Sequence, residues 1–562
     1  MKNNIKRILF LLVLALGLNS CETTELEILE SPNVLNPNQA DIDFFLNSMQ
    51  ITTATFFENI TEEGMEVTRI LHQFGPTYDN GYGPGQLNNA YTNAYAGIIA
   101  DNRAMVPLAE EKGLFTHIAI GQILEAYVMA TLVDYLGDIP YSEAILGLEN
   151  ENPNVDGGQA IYDEMFILLD NAIANLNLTA SAEPAVDVYY NGDKNKWISF
   201  ANTLKLKLYL QTRLVNSAAA TTGINNILAS GNYIQTADQD FQFNYSTVDA
   251  NPDSRHPIFG RNFDNGVTDY QSNSYMDLLL NDKSLIDPRI RYYFYRNRSN
   301  ASSDPNALPC IVENAPAHYP AGEVFCVAGQ GYNGRDHHDN DGIPPDENDR
   351  TDWGLYPIGA QFDDDSFEGT NDRTVGAQGA GISPIMLSSY VDFMLAEASL
   401  ELGTTGDARS YLRSGIEKSF DKVVNFRPDL VDSNFTQTST VNDNDTPDDP
   451  SDDFLDFSLD IQDYIDEVLT NYDNAASNDE RLEIVVTEYF IALFGNGIEA
   501  YNTYRRTGKP ENLQPSLLAN PGVFIRSFLY PSNLVDRNSS VDQKPNQAIP
   551  VFWDTRAEGF VD

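Results

Sequence analysis

Apolar residues recur at intervals of three and four positions along much of the chain, beginning in the segment DIDFFLNSMQITTATFFENI, which starts at Asp41. This spacing places apolar side chains on one face of an α-helix and predicts that this face is buried. Trp197, Phe200 and Leu204 share such a face and are expected in the core. The same pattern predicts further helices at 87–111, 116–136, 159–176, 196–215, 388–402, 407–420 and 482–493. The protein is therefore expected to be mostly α-helical.

Residues 388–420 have the pattern of two antiparallel helices joined by the segment GTTGD. Gly403 is expected to end the first helix, because glycine readily takes the left-handed conformation found at helix C-termini. Asp407 is expected to cap the second helix, since its carboxylate can accept hydrogen bonds from free backbone N–H groups of the first turn. The length and small residues of this unit are close to those of a tetratricopeptide repeat. The expected scaffold is a tetratricopeptide-like helical repeat.

Two long stretches lack this periodicity. Residues 240–386 are rich in Gly, Asn, Asp, Tyr and Pro, and residues 429–453 form an acidic loop. Loops this long inside a compact helical body are usually functional or disordered. The aromatic residues of the first stretch favour function, and the acidic composition of the second favours a solvated excursion. We interpret residues 41–562 as a single domain that carries these two insertions.

The chain begins with the features of a bacterial export signal. A basic stub, with Lys2, Lys6 and Arg7, precedes an apolar run at 8–18, and a small residue precedes Cys21. Such a run is too short to cross a bilayer as a helix but suits a signal peptide. The sequence before Cys21 resembles a lipobox, which predicts a signal peptide at 1–20, lipidation of Cys21 and a lipidated leader at 21–40. The alternative is an ordinary signal peptide with an incidental cysteine.

Acidic residues outnumber basic ones, with 82 Asp and Glu against 34 Lys and Arg and a formal net charge of −48. Nucleic-acid binding needs clustered cations at the phosphates, so this balance excludes a polyanion as the main partner. It also disfavours adhesion to an anionic membrane through a basic face. The apolar stretch at 118–137 is interrupted by Glu125 and Asp134 and is interpreted as a buried helix. Membrane attachment is therefore expected through the lipid alone.

If Cys21 is lipidated, Cys310 and Cys326 remain. In an exported protein these two cysteines are expected to form a disulfide. Their neighbourhood contains no CxxC motif and no Cys/His cluster typical of zinc. The pair is predicted to be structural.

Several phrases together resemble the SusD/RagB family of nutrient-binding outer-membrane lipoproteins. They are DYLGDIPYSEA (134–144), GDKNKWISFANTLKLKLYLQTR (192–213), DPRIRYYF (287–294), FMLAEASLELG (393–403), YFIALFGNGIEAYNTYRRTGKP (489–510) and YPSNLV (530–535). The resemblance implies a scaffold of tetratricopeptide-type helix pairs that supports a loop-rich half. It also implies a cell-surface protein that captures oligosaccharides, or peptides in some branches, and delivers them to a SusC-like TonB-dependent transporter. Members of the family are not enzymes.

Motifs for catalysis are missing from the sequence. It contains no GxSxG, no HExxH and no GxxxxGK[ST], and no thiol remains for nucleophilic chemistry. With so many acidic residues, chance carboxylate pairs are inevitable, so a surface glycoside hydrolase stays open as the less favoured alternative. We expect no catalytic residues and no catalytic cofactor.

The segment DNDGIPPDEND resembles the acidic calcium loops of thrombospondin-type repeats. Asp339, Asp341, Asp346 and Asp349 could supply carboxylate oxygens around a turn at Gly342, and Ca²⁺ takes six to eight such ligands. This pattern predicts a structural calcium ion. The alternative is an exposed acidic turn whose repulsion is relieved by solvent.

Aromatic residues next to small and amide residues mark a candidate sugar groove, because sugars stack their C–H faces on flat rings and bind polar groups through hydroxyls. Trp353 is predicted to be the main stacking platform. The remaining predicted ligand contacts are Tyr356, Tyr332, Tyr78, Asp79, Asn80 and Tyr82. The alternative for each ring is that it covers loop hydrophobics. The exposed rings favour an oligosaccharide over a peptide, which is the main rival ligand.

Overall fold

The computed structural model describes residues 41–264, 266, 268–340, 346, 349–368, 372–431, 440–442, 454–456, 458–557 and 559–562. Ile42–Asp562 cluster into one compact unit. The signal peptide, the leader and Cys21 lie outside the described residues, as does most of the predicted acidic loop at 429–453.

Helices dominate the described residues. In chain order they are α1 (Ile42–Val67), α2 (Tyr78–Gly81), α3 (Asn88–Thr92), α4 (Ala100–Lys112), α5 (Phe115–Leu136), α6 (Gly158–Leu176), α7 (Lys194–Gln211), α8 (Ser217–Ser230), α9 (Pro257–Phe263), α10 (Asn273–Asn281), α11 (Ile290–Tyr293), α12 (Ser388–Leu402), α13 (Ala408–Val424), α14 (Ser458–Asn474), α15 (Asn478–Ala492), α16 (Gly497–Thr507) and α17 (Ser532–Val535). A π-helical segment, Asn93–Ile99, joins α3 to α4.

The strands are short and pair two by two in antiparallel fashion. The pairs are β1 (Phe241–Asn244) with β4 (Ile382–Met386), β2 (Phe294–Tyr295) with β3 (Asp352–Trp353), and β5 (Thr440–Asn442) with β6 (Phe454–Asp456). No larger sheet forms among the described residues. Two of these pairs lie within the predicted irregular region at 240–386, which also contains α9, α10 and α11.

The predicted mostly α-helical architecture is confirmed, and so is the predicted hairpin at 388–420. Gly403 follows α12 with a φ of 63°, in the left-handed region. The carboxylate of Asp407 accepts a hydrogen bond from the backbone N–H of Ser410 at 2.9 Å and caps α13. Trp197, Phe200 and Leu204 are fully buried, as their helical spacing predicted.

Helix α5 is long and apolar enough to cross a membrane, but 94% of its most apolar window is buried inside the protein. Its two acidic residues are satisfied by hydrogen bonds. Asp134 accepts from Asn502 Nδ2 at 2.7 Å and from Trp553 Nε1 at 2.9 Å, and Glu125 accepts from Asn102 Nδ2 at 2.6 Å. Such partners offset the cost of burying polar groups, so α5 is the core helix that the sequence indicated.

A buried ion-pair network connects the scaffold to α16. Glu397 on α12 accepts from Arg506 Nε and Nη2, both at 2.7 Å, and from Arg213 Nε at 2.9 Å. Burial raises the pKa of the Glu397 carboxyl, but the two guanidinium groups outweigh burial and hold this pKa below its usual range. The network thereby anchors α16 to the scaffold. This helix ends at Gly508, where the chain enters the loop-rich part of the molecule.

Candidate ligand-binding cleft

The structure corrects the predicted stacking platform. Trp353 lies on β3, is only 1% exposed, and packs its ring 5.1 Å from that of Phe494. Its Nε1 donates to the carboxylate of Asp269 at 3.2 Å. The prediction of an exposed ring is wrong, because the short β2–β3 pair places this ring in the hydrophobic core that the scaffold helices share.

The four predicted tyrosines are buried as well, at 1–2% exposure. Tyr356 packs edge-on against Phe426, and the Tyr332 hydroxyl donates to Asp363 at 3.3 Å. Tyr82 donates to Glu66 at 2.7 Å, and Tyr78 to Asp562 at 3.2 Å. Each hydroxyl with a carboxylate partner is satisfied inside the protein, so these rings brace the loops and offer no face to a sugar.

Asp79 and Asn80 differ from their neighbours because both are exposed on the short helix α2. Their contact with a ligand stays a prediction. The exposed ring of this loop is Phe74, at 39% exposure, which the sequence reasoning missed. Phe74 lies edge-on to His72 with ring centroids 4.6 Å apart, and the Arg335 guanidinium lies 5.5 Å from its ring. Nothing in the sequence distinguishes this ring from Tyr78 or Tyr82, since all three lie in one glycine-rich segment.

The described aspartates of the acidic segment have separate partners. Asp346 accepts from the Tyr270 hydroxyl at 2.8 Å, Asp349 pairs with Arg298, and Asp339 lies 4.0 Å from Arg335. Asp341, with the Gly342 turn, lies outside the described residues. Within the part of the chain that the structure describes, no three His, Cys, Asp or Glu side chains form a group that could hold a metal ion. The calcium site stays a prediction.

The predicted disulfide between Cys310 and Cys326 is present. It closes the loop that contains residues 320–324. The Asn273 side chain donates to the Cys326 carbonyl at 2.9 Å, and the Cys326 N–H donates to Asp336 at 2.8 Å. The disulfide loop is thus anchored to α10 and to the start of the acidic segment.

Residues 320–324 form one wall of an open cleft of about 620 Å³. The other contributions come from α10, from the segment after α16 and from residues 556–561. The lining includes Arg69, Ser274, Tyr275, Asp277, Leu278, Asn281, Asp282, Phe490, Tyr504, Gly508, Pro510, Glu511, Asn512, Leu513, Pro515, Arg556, Gly559, Phe560 and Val561. The volume lies within the range of small-molecule sites.

Phe560, which is half-buried, places an aromatic ring in the lining of the cleft. Its ring stacks on Phe524 with centroids 5.3 Å apart, and the Arg526 guanidinium lies 5.2 Å from it. Tyr504, packed edge-on at 5.7 Å, is fully buried behind it. The neighbouring rings hold Phe560 in place, so it can contact a ligand without a large loss of side-chain entropy.

Three of the charged side chains that line the cleft, Arg69, Asp282 and Glu511, are paired. Arg69 pairs with Asp562 at 3.0 Å, Lys283 with Asp282 at 2.9 Å, and Lys509 with Glu511 at 2.8 Å. Three charged groups of the lining, Asp277, Glu323 and Arg556, have no ion-pair partner among the described residues. Burial raises the pKa of Glu323 to about 7, with the carboxylates of Asp277 and Asp336 adding to the effect. Acceptor and donor groups therefore face the same cleft as an apolar ring.

The chain folds into a helical-repeat scaffold that carries a cleft formed by loops. Two family models match its sequence. One, described as "Starch-binding associating with outer membrane", matches residues 34–308, and the other, "Susd and RagB outer membrane lipoprotein", matches residues 374–549. The chain belongs to the SusD-like family of outer-membrane proteins. No curated protein sequence matches it.

Solved structures show the same fold. A chitin-binding SusD homologue from Flavobacterium johnsoniae is 21% identical, with a TM-score of 0.60, over 92% of this chain and 100% of that one. A SusD-like protein from Bacteroides thetaiotaomicron is 19% identical, with a TM-score of 0.63 and the same coverage. A further chitin-binding protein is 18% identical with a TM-score of 0.64, again over 92% and 100%. At such identities the likeness establishes the tetratricopeptide-like fold.

Proposed function

We propose that this protein is a surface lipoprotein that captures oligosaccharides and passes them to a SusC-like TonB-dependent transporter. The family descriptions, which name starch binding and the outer membrane, support this proposal. So does the fold shared with a chitin-binding homologue. The lipid on Cys21 would hold the protein at the membrane, as the lipobox predicts.

One observation carries the proposal: the cleft combines the half-buried ring of Phe560 with the carboxylates of Asp277 and Glu323 and the guanidinium of Arg556. A sugar complements this lining. Its apolar C–H face can stack on the ring, and its hydroxyls can donate and accept hydrogen bonds. Asp277 and Glu323 would accept from hydroxyls, and Arg556 would donate to ring or hydroxyl oxygens. The exposed Phe74 marks a second surface for a long chain.

We propose that the protein binds its ligand without cleaving it. A carboxyl group in the cleft gives a reason to test this proposal. A carboxyl with a pKa near 7, such as Glu323, could serve as a general acid in a glycoside hydrolase. Retaining and inverting hydrolases need a second carboxylate at a defined separation. Incubation of each bound oligosaccharide with purified protein, followed by chromatography, distinguishes the roles: intact ligand supports capture, and cleavage contradicts it.

Screening the mature protein against a panel of oligosaccharides and peptides tests the ligand class, with calorimetry on each hit. We expect micromolar to millimolar dissociation constants, about −8 to −4 kcal/mol, because a protein that hands over its cargo cannot bind it tightly. Phe560→Ala should weaken binding at least tenfold. Phe44→Ala, on the exposed face of α1 at 67% exposure, is the matched control and should bind like the parent.

Two other results would redirect the proposal. If Phe74→Ala weakens binding and Phe560→Ala does not, the ligand surface is the loop at 73–86 and the cleft is not the site. If peptides bind and no oligosaccharide does, the protein belongs with the peptide-importing branch. Co-purification with a TonB-dependent transporter from native membranes, with Cys21→Ala as a control for anchoring, tests the delivery step.

A further inference from the structure

Arg556 carries a guanidinium that has no ion-pair partner among the described residues, in a protein that is rich in carboxylates. The chain has 82 acidic residues against 34 Lys and Arg, so an arginine would be expected to find an acidic neighbour. Arg69 and Arg526, on either side of the same region, pair with Asp562 and Asp554. Within the described residues Arg556 has no hydrogen bond or ion pair, and its Nε is buried without a partner.

The guanidinium of Arg556 lies close to two glycines. Its Nη2 lies against Gly508, where an added Cβ would overlap it, and against Gly559, where a Cβ would lie 2.9 Å away. Gly508 ends α16 with a φ of 73°, in the left-handed region. Both this conformation and the close approach of Arg556 favour glycine at this position. The absence of side chains at Gly508 and Gly559 thus leaves room for the guanidinium in the lining of the cleft.

Glu323 can lose its charge by taking up a proton, whereas Arg556 cannot lose its charge. Burial and neighbouring carboxylates raise the pKa of Glu323 to about 7, so this carboxyl can hold a proton near neutral pH. An arginine side chain stays protonated in proteins and cannot shed its charge in this way. Asp277 accepts from Asn281 at 2.6 Å, and Asp282 and Glu511 are paired with lysines. The charge in the cleft that most needs a ligand is therefore positive.

We propose that the cleft binds an oligosaccharide bearing a uronic-acid carboxylate, and that Arg556 is the residue that binds this carboxylate. This inference rests on the proposed function and names the sugar class. A planar guanidinium can form two parallel hydrogen bonds with a carboxylate, and such charge-assisted pairs are about twice as strong as neutral hydrogen bonds. The sugar hydroxyls would donate to Asp277 and Glu323, and the apolar face would contact Phe560.

Calorimetry with matched ligands tests the inference. The probes are galacturonic-acid tetramers and glucuronic-acid-substituted xylan oligosaccharides, each compared with its methyl ester, at 150 mM salt, where long-range repulsion from the acidic surface is screened. We expect at least one acid to bind tenfold or more tightly than its ester. Arg556→Gln should abolish this preference, and Arg556→Lys should retain part of it. Arg373→Gln, at an exposed arginine paired with Asp249, should leave it unchanged.

Melting temperatures of all variants show whether a loss of binding reflects unfolding, and Arg556→Lys keeps the test decisive if Arg556→Gln does not fold. The inference is overturned if acids and esters bind equally, if the preference survives in Arg556→Gln, or if no acidic oligosaccharide binds. It is also overturned if glucosamine oligomers are preferred and Glu323→Gln removes that preference. Binding of neutral oligosaccharides in any of these cases would leave the proposed function intact, whereas failure of every oligosaccharide would contradict both.

Discussion

Arg69, just beyond the end of α1, and Asp562 form a buried ion pair in which Arg69 Nη2 lies 3.0 Å from the Asp562 carboxylate. The two residues are 493 positions apart in the chain. The same carboxylate accepts from the Tyr78 hydroxyl and from the backbone N–H of Ser516. A single side chain thus joins the first helix, the glycine-rich loop at 73–86 and the segment after α16 at the edge of the cleft.

Replacing Asp562 with Asn should destabilise the protein by about 3 kcal/mol, because the buried Arg69 then lacks its counter-charge. Chemical denaturation of the mature protein measures this change. Asp473→Asn, which breaks an exposed pair with Arg409, is the control and should cost far less, because solvent screens exposed ion pairs. Equal effects of the two variants would show that the Arg69–Asp562 pair contributes no more than a surface ion pair.

Trp353→Ala should act on stability. The ring is buried against Phe494, so its removal leaves a cavity and should cost about 3–5 kcal/mol. Any loss of binding should track the unfolded fraction and vanish at temperatures where the variant is fully folded. A variant that keeps its melting temperature but loses ligand binding would restore the role that the sequence suggested for Trp353.

Removing the disulfide should affect both stability and the cleft. Opening the loop between Cys310 and Cys326 should cost about 3 kcal/mol in the chain-entropy model and loosen the wall at 320–324. The paired variant Cys310→Ser with Cys326→Ser should melt at a lower temperature and bind ligand more weakly. Dithiothreitol should shift the parent in the same direction and leave the variant unchanged; a parent insensitive to full reduction would contradict this expectation.

The contribution of Glu58 to stability should fall as pH rises from about 5 to 9. Burial raises the pKa of Glu58 on α1 to about 8, while the Ser383 hydroxyl that donates to it at 2.6 Å opposes the shift. The folded state therefore holds a proton that the unfolded chain releases near pH 4.5. This contribution is fully present below the unfolded pKa and is lost as pH rises through the folded one, by at most about 1.4 kcal/mol per pH unit.

Glu58→Gln should reduce this slope, because the amide is neutral at every pH. Burial also raises the pKa of Glu63 to about 8, so a slope should remain in the single variant and shrink further in the double variant with Glu63→Gln. Glu417→Gln, at a half-exposed position on α13, should leave the slope unchanged. Thermal melts across this pH range provide the measurement, and identical slopes in all variants would exclude Glu58 as a source.

The helical scaffold could be predicted because its causes are local. Apolar spacing placed Trp197, Phe200 and Leu204 on a buried face, and the turn between α12 and α13 was recognisable from Gly403 and Asp407. The pattern was less evident for α8, which is rich in Ala, Thr and Asn, whereas α14 and α16 carry apolar residues at helical spacing, such as Tyr464, Val468 and Leu469 in α14. Those three helices were missed.

The family could also be recognised from sequence, since its phrases describe scaffold helices, and the disulfide followed from two remaining cysteines in an exported chain. The site could not. Whether an aromatic residue in a loop is exposed depends on contacts with distant segments, as between Trp353 and Phe494 or Tyr78 and Asp562. The cleft brings together Arg69, Asp277, Glu323 and Arg556, which lie far apart in the chain. Hydrophobic periodicity records which face of an element is buried, and only the folded chain determines which loops meet and which polar groups remain unpaired.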